Sequence, residues 1–339
     1  MQILSVQYLR GLAASAVVLF HAGLIYNLNF GLGNAGVDIF FVISGLIMWI
    51  VSNQKNDTPK QFIIQRTIRI VPLYWSVTIF LTIAAAARPN LFPLERPAPW
   101  HVLQSLLFIP HVAPNGKVHP ILIQGWTLNY EMFFYSLFAL ILFLPVRFRL
   151  IGFTALIGSL VLLGSAVAPT NTLAATYTSP LLIEFLVGIW LGKALTSAKL
   201  PSRGGASTLL ISGVFMLFCS HWLENLTQER LLIWGLPAAC IVAGSIALEQ
   251  RGLVPTIPVL KFLGDASYSI YLAHSFGFLG VAIIVEKLGL AGQGTGNFLV
   301  TTVGGFAAGI LCFLLVERPI TSFIRKIRSG PHRSVQRMA

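Results

Sequence analysis

Arg10 and His21 stand eleven positions apart in one apolar run. On a helix of 100° per residue that spacing returns to within about 20° of the same face, with about 16 Å between the two along the axis. A histidine near its neutral pKa can take a proton from a hydroxyl or carry an acyl group, and an arginine can do neither. His21 is therefore the first catalytic candidate. Asp38, just inside the second apolar run, and Glu131, five residues after Trp126, are expected at a similar depth. A carboxylate there would fix the tautomer of His21 and stabilise its charged form, although Asp38 suits a structural ion pair or a helix N-terminus nearly as well. In RTIRIVP (66–72), Arg66 and Arg69 have helical i, i+3 spacing and approach from the same side as Arg10. Three such guanidiniums suit phosphate groups, though anchoring of the topology would also place basic residues there. In SYSIYLAH (267–274), Ser267, Tyr271 and His274 share one helical face.

These candidates stand out because the elements that carry them are apolar. The chain has 339 residues, 55% of them hydrophobic and 10% charged, where a soluble domain carries about 25% charged residues. An ionisable side chain at the centre of a bilayer costs about 2.5–3.5 kcal/mol on insertion scales, so each one is a functional candidate. Apolar runs of spanning length lie near 7–26, 35–52, 70–87, 126–145, 150–168, 178–197, 205–223, 231–248, 267–285 and 298–316. The pattern predicts an all-α, polytopic membrane bundle of about ten transmembrane helices. With an even count both termini share a side, and 18 of the 23 Lys and Arg residues sort to it. Only Arg88, Arg96, Lys117, Arg230 and Lys287 fall opposite, which predicts cytoplasmic termini. The basic residues sit in short loops rather than on one patch, so the net charge of +12 does not indicate nucleic-acid binding.

One membrane domain, 1–321, and a basic cytoplasmic tail, 322–339, account for the chain, the tail facing anionic lipid headgroups. Residues 88–125, with seven prolines, form a long external loop in which WHVLQSLLFI (100–109) reads as a short interfacial or re-entrant helix. His101, His111 and His119 in this loop have no recognised metal-ligand spacing. Cys219, Cys240 and Cys312 lie in apolar stretches, where a thiol packs as a small hydrophobe. No metal site is expected.

Taken in order, QYLRGLAASAVVLFHA (7–22), GNAGVDIFFVISGLIM (33–48), RTIRIVPLYW (66–75), WTLNYEMFFY (126–135), GDASYSIYLAH (264–274) and VERP (316–319) resemble acyltransferase family 3, the polytopic acyltransferases of cell-surface and secreted glycans. The length is most like the stand-alone exopolysaccharide O-acetyltransferases. The resemblance implies a bacterial inner-membrane enzyme that moves an acyl group, usually acetyl from cytoplasmic acetyl-CoA, to a hydroxyl of a polysaccharide or its lipid-linked precursor. It implies that Arg10 and His21 are essential, that acyl-CoA is a co-substrate and that no cofactor is held permanently. In this scheme His21, Asp38 and Glu131 are catalytic, Arg10, Arg66 and Arg69 bind the donor, and Trp126, Ser267, Tyr271 and His274 are further pocket candidates. His21 either deprotonates the acceptor or accepts the acyl group transiently. Asn129 and Tyr130 stand where relatives often carry Ser or Val before the Glu, which leaves the acceptor pocket open. The rival expectation is a transporter or flippase of a glycan intermediate, which would also need buried charges. Self-association is left undecided by the sequence.

Overall fold

The computed structural model describes residues 3–328 apart from 29, 56–57, 93–96, 198–200, 221–228, 291 and 293. Most of the expected tail, from 329 onward, therefore lies outside the described residues, as do Arg96 and Lys199. The helices are α1 (Leu4–Ile25), α2 (Ala35–Lys55), α3 (Pro59–Ala87), α4 (Pro99–Leu106), α5 (Trp126–Ile141), α6 (Val146–Val167) and α7 (Thr172–Tyr177). They continue with α8 (Leu182–Thr196), α9 (Arg203–Phe218), α10 (Leu236–Glu249), α11 (Pro258–Lys287), α12 (Thr295–Cys312) and α13 (Arg318–Arg328). Only an isolated bridge between Val112 and Val118 departs from the all-helical pattern of the described residues.

Each expected span falls on a helix. Among the described residues, eight helical segments are long and apolar enough to cross a membrane. The other two, α5 and α9, have 16 residues each, or about 24 Å, short of a bilayer core of about 30 Å. Others run longer than their apolar stretch. Thr58 starts α3 with a reciprocal capping box, its hydroxyl accepting from the Gln61 amide at 3.3 Å while the Gln61 side chain accepts from the Thr58 amide at 3.0 Å. Pro59 follows as the first helical residue, where no N–H is needed. Arg66 and Arg69 thus belong to the lower turns of a rigid 29-residue helix.

Packing follows small residues and aromatic rings. A Cβ at Gly45 would stand 2.0 Å from the Phe185 carbonyl oxygen, and one at Gly188 would stand 2.1 Å from that of Val42, so α2 and α8 touch backbone to backbone. Beside this crossing the Phe185 ring stacks on Phe41 at 4.5 Å and on Phe134 at 4.4 Å, which buries α5 at the centre. Substitution Gly188→Ala should therefore destabilise the bundle by about 1–3 kcal/mol. The readout is a lower Tm in detergent, with Gly158→Ala, at a glycine with open space around it, as the neutral control.

Candidate active site

Several helices open around a cavity of about 580 Å³, within the usual range for small-molecule sites. Its mouth is formed by Ile3, Val51, Leu195 and Gln250, at the ends of α1, α2, α8 and α10 that share the N-terminal face. Arg10, Arg66 and Arg69 all line it, the arrangement their spacing suggested. Arg66 is buried, with its guanidinium 5.7 Å from the Phe62 ring centroid. Glu131 also lines the cavity, accepting from Ser44 Oγ at 3.1 Å and from the Tyr135 hydroxyl. Arg10 faces Arg69, Glu131 and Glu317. With three guanidiniums and one lining carboxylate, the wall carries a surplus of positive charge.

The opposite end is closed by side chains. Tyr271 donates to the Gln124 carbonyl at 3.0 Å and lies 3.0 Å from the Thr127 hydroxyl. One turn further along α11, His274 Nε2 lies 2.9 Å from His21 Nδ1, the rings stacked with centroids 5.0 Å apart. His274 Nδ1 is 3.1 Å from the Ile270 carbonyl oxygen. A carbonyl only accepts, so Nδ1 of His274 carries the proton and its Nε2 is the lone-pair nitrogen. His21 must then donate from Nδ1, which leaves its own Nε2 with a lone pair, the form a base or a nucleophile needs.

This corrects the expected orientation of His21. A Cβ at Gly33 would fall 2.2 Å from the Ala16 carbonyl oxygen, and one at Gly36 would fall 2.6 Å from that of Ala13. The connection folds back along α1, and α2 begins well below His21, leaving Asp38 about 12 Å deeper by helical rise. Asp38 is instead gripped by Arg230, which donates from Nε at 3.1 Å and from Nη2 at 2.7 Å. The Arg230 guanidinium also lies over the Trp234 ring at 4.7 Å. Glu131 sits roughly 10 Å inward of His274 along the bundle axis, by the rise from Thr127 and Tyr271. Ser267 is fully buried and donates to the Gly264 carbonyl at 2.7 Å, away from the lining of the large cavity. Trp126 lines a second cavity, under the 88–125 loop, rather than the large one. Glu184, without a nameable partner in the sequence, is buried beside Asp38.

Two participants escaped the sequence reading. Arg230 reads as a loop residue, and Glu317 as the end of a helix beside Arg318. Arg230 precedes the π-turn Leu231–Gly235 and Glu317 ends the π-turn Phe313–Glu317, and each turn shifts the register of its helix. Glu317 is thereby brought to Ser269, which donates to it at 2.5 Å, and to face Arg10. An apolar run with no composition break carries no signal of such a turn.

The 88–125 loop is held by its histidines. His111 Nδ1 donates to the Ile109 carbonyl at 2.7 Å, so its Nε2 accepts from His101 Nδ1 at 2.6 Å. Burial, with His111 and His119 beside it, lowers the His101 pKa from 6.5 to about 4, and burial lowers that of His111 as well. Below the ordinary imidazole value the unfolded loop binds protons that the folded loop refuses. The order is therefore complete above about pH 6.5 and is lost as pH falls towards 4. Protection factors over 99–119, taken relative to the intrinsic exchange rate at each pH, should fall between pH 7 and 5, and His101→Phe should flatten that dependence. Protection factors that do not change with pH in the native protein would contradict the assignment.

An acyltransferase domain profile matches residues 3–317, nearly the whole chain. The chain belongs to acyltransferase family 3 and is a multi-pass membrane acyltransferase of the bacterial inner membrane. It is 39% identical over 308 residues to the exopolysaccharide production protein ExoZ of Rhizobium meliloti (strain 1021), covering 89% of this chain and 94% of that one. It is 27% identical over 348 residues to BcsY of Komagataeibacter xylinus, named as a candidate membrane-bound transacylase, covering 91% and 81%. YrhL of Bacillus subtilis (strain 168), named as a candidate peptidoglycan O-acetyltransferase, is 24% identical over 324 residues, 83% of this chain and 50% of that one. No solved structure gives a significant match. Family membership favours the acyltransferase over the transporter reading.

Proposed function

We propose that the protein transfers an acetyl group from cytoplasmic acetyl-CoA to a hydroxyl of an exopolysaccharide or its lipid-linked precursor, with the N-terminal face of the bundle in the cytoplasm. The observation that carries this reading is the cavity itself, which opens among arginines on that face and ends one helical turn short of the His21–His274 pair. Arg10, Arg66 and Arg69 hold the donor phosphates, and the acyl-pantetheine arm fills the apolar part of the cavity. For the thioester to reach His21, the Tyr271–Thr127 contact parts.

His21 Nε2 then acts in one of two balanced ways. As a base it takes the proton from the acceptor hydroxyl as that oxygen attacks the thioester carbonyl, and it returns the proton to the departing CoA thiolate. As a nucleophile it takes the acyl group itself, expelling the CoA thiolate, and the acceptor oxygen then displaces the imidazole while its hydroxyl proton passes to that thiolate. In both, His274 accepts the hydrogen bond from Nδ1 that keeps Nε2 unprotonated. The orienting role expected of Asp38 or Glu131 passes to His274, and Glu131 contributes to the electrostatics of the donor cavity.

The test is incubation of purified protein with acetyl-CoA carrying a labelled acetyl group and with polysaccharide. Label should appear in the polysaccharide as a base-labile ester, and its absence under conditions where the protein binds donor would overturn the proposal. Mass spectrometry of the quenched protein separates the two routes, since only the second leaves an acetyl group on His21.

A further inference from the structure

The first turns of α5 have a second face. Thr127, Leu128, Glu131 and Tyr135 line the large cavity, whereas Trp126, Asn129 and Tyr130 line a separate cavity of about 180 Å³ under the external loop. The helical period alone puts these two sets back to back, so α5 is the wall between the cavities. The smaller one is completed by His111 and His119 from the loop and by Thr176. At about 30 Å³ per water its volume equals roughly six waters, the space of one sugar ring.

Its chemistry is selective. Trp126 and Tyr130 meet edge to face, with centroids 5.9 Å apart at 87°, forming an aromatic corner. Such a corner offers apolar faces to the C–H side of a pyranose. Asn129 is 5% exposed, and its Oδ1 is buried with no hydrogen-bond partner among the described residues. A buried acceptor left unpaired costs about 1–3 kcal/mol, so it wants a donor. His119 Nδ1 donates to the Pro120 carbonyl at 2.9 Å, and its Nε2 lies 2.8 Å from the Asn115 amide nitrogen. His119 Nε2 also lies 3.2 Å from Asn115 Oδ1, and the His111 ring, whose Nε2 accepts from His101, presents a neutral polar wall. No Asp, Glu, Lys or Arg lines this cavity, which disfavours a phosphate or carboxylate ligand and favours a neutral polyol. It is also close to the histidine pair: Thr127, next to Trp126, contacts Tyr271, one turn before His274.

We propose that this external cavity is the acceptor subsite, seating one neutral pyranose ring on Trp126 and Tyr130 with a ring hydroxyl donating to Asn129 Oδ1. The assignment rests on the acyl-transfer reading for its role as acceptor site, though not for sugar binding itself. The probes are methyl β-glucoside and methyl β-galactoside, followed by saturation-transfer NMR on the full chain in nanodiscs without donor. The native protein should transfer saturation to the pyranose C–H protons of at least one glycoside. Asn129→Ala should weaken binding about three- to tenfold, Trp126→Ala at least as much, and Trp126→Phe should retain most of it. Chromatographic homogeneity and Tm report the fold of each variant independently. No saturation transfer in the native protein, or equal transfer in well-folded Asn129→Ala and Trp126→Ala, overturns the subsite. Sugar binding by a native protein that fails to bind acetyl-CoA would instead sink the acyl-transfer reading and leave the sugar site standing.

Discussion

Substitution His21→Ala should lower acyl transfer by at least about 10³-fold, near the upper range for loss of a positioned base or nucleophile, while leaving the amount of protein in the membrane unchanged. The side chain is only partly buried, its side-chain hydrogen bond among the described residues goes to His274, and alanine is cheap inside a bilayer. A smaller but diagnostic loss should follow His274→Gln, because the carboxamide can place its oxygen near the His21 Nδ1–H. His274→Leu, which leaves that donor unpaired, should be far worse. Transfer assays on membranes with matched protein levels measure both. Full activity in His21→Ala would remove it from the chemistry. Equal activities for the glutamine and leucine variants would show that His274 does not orient its partner.

The second large effect concerns the donor. Arg10→Ala, Arg66→Ala and Arg69→Ala should each weaken acetyl-CoA binding by about ten- to a hundredfold, the equivalent of a charge-assisted hydrogen bond worth about 1.5–3 kcal/mol. All three line the cavity mouthward of Tyr271, so sugar binding at the external cavity should be untouched. Lysine at 66 or 69 should restore only part of the affinity, since an ammonium lacks the planar fork of the guanidinium. Isothermal titration in detergent at varied salt measures the affinity and its electrostatic share. Unchanged donor affinity in all three would reduce the arginines to topology signals.

The fold was legible because one force sets it. A bilayer admits backbone only as helices or closed barrels, so a chain of apolar runs near 20 residues reads directly as a helical bundle. The arginine set was legible for a related reason, since Arg66 and Arg69 belong to one helix and a helix has a fixed period. The partner of His21 was not legible, because it depends on how far one helix slides along another. That offset is set by backbone contacts at Gly33 and Gly36, and helical periodicity contains no information about it. Asp38 was therefore expected beside a histidine when it belongs to Arg230. The contributions of Arg230 and Glu317 depend on π-turns, and the two-sided character of α5 depends on the 88–125 loop folding over Trp126 and Asn129.

The proposed transfer is vectorial: acetyl leaves CoA at the N-terminal face and reaches a hydroxyl on the other side through His21. Its most direct test uses proteoliposomes with one orientation selected, polysaccharide sealed inside and labelled acetyl-CoA supplied outside. Label should appear on the enclosed polysaccharide when the N-terminal face is outward, and none should appear with His21→Ala. Equal labelling in the reversed orientation, or labelling that survives His21→Ala, would contradict it.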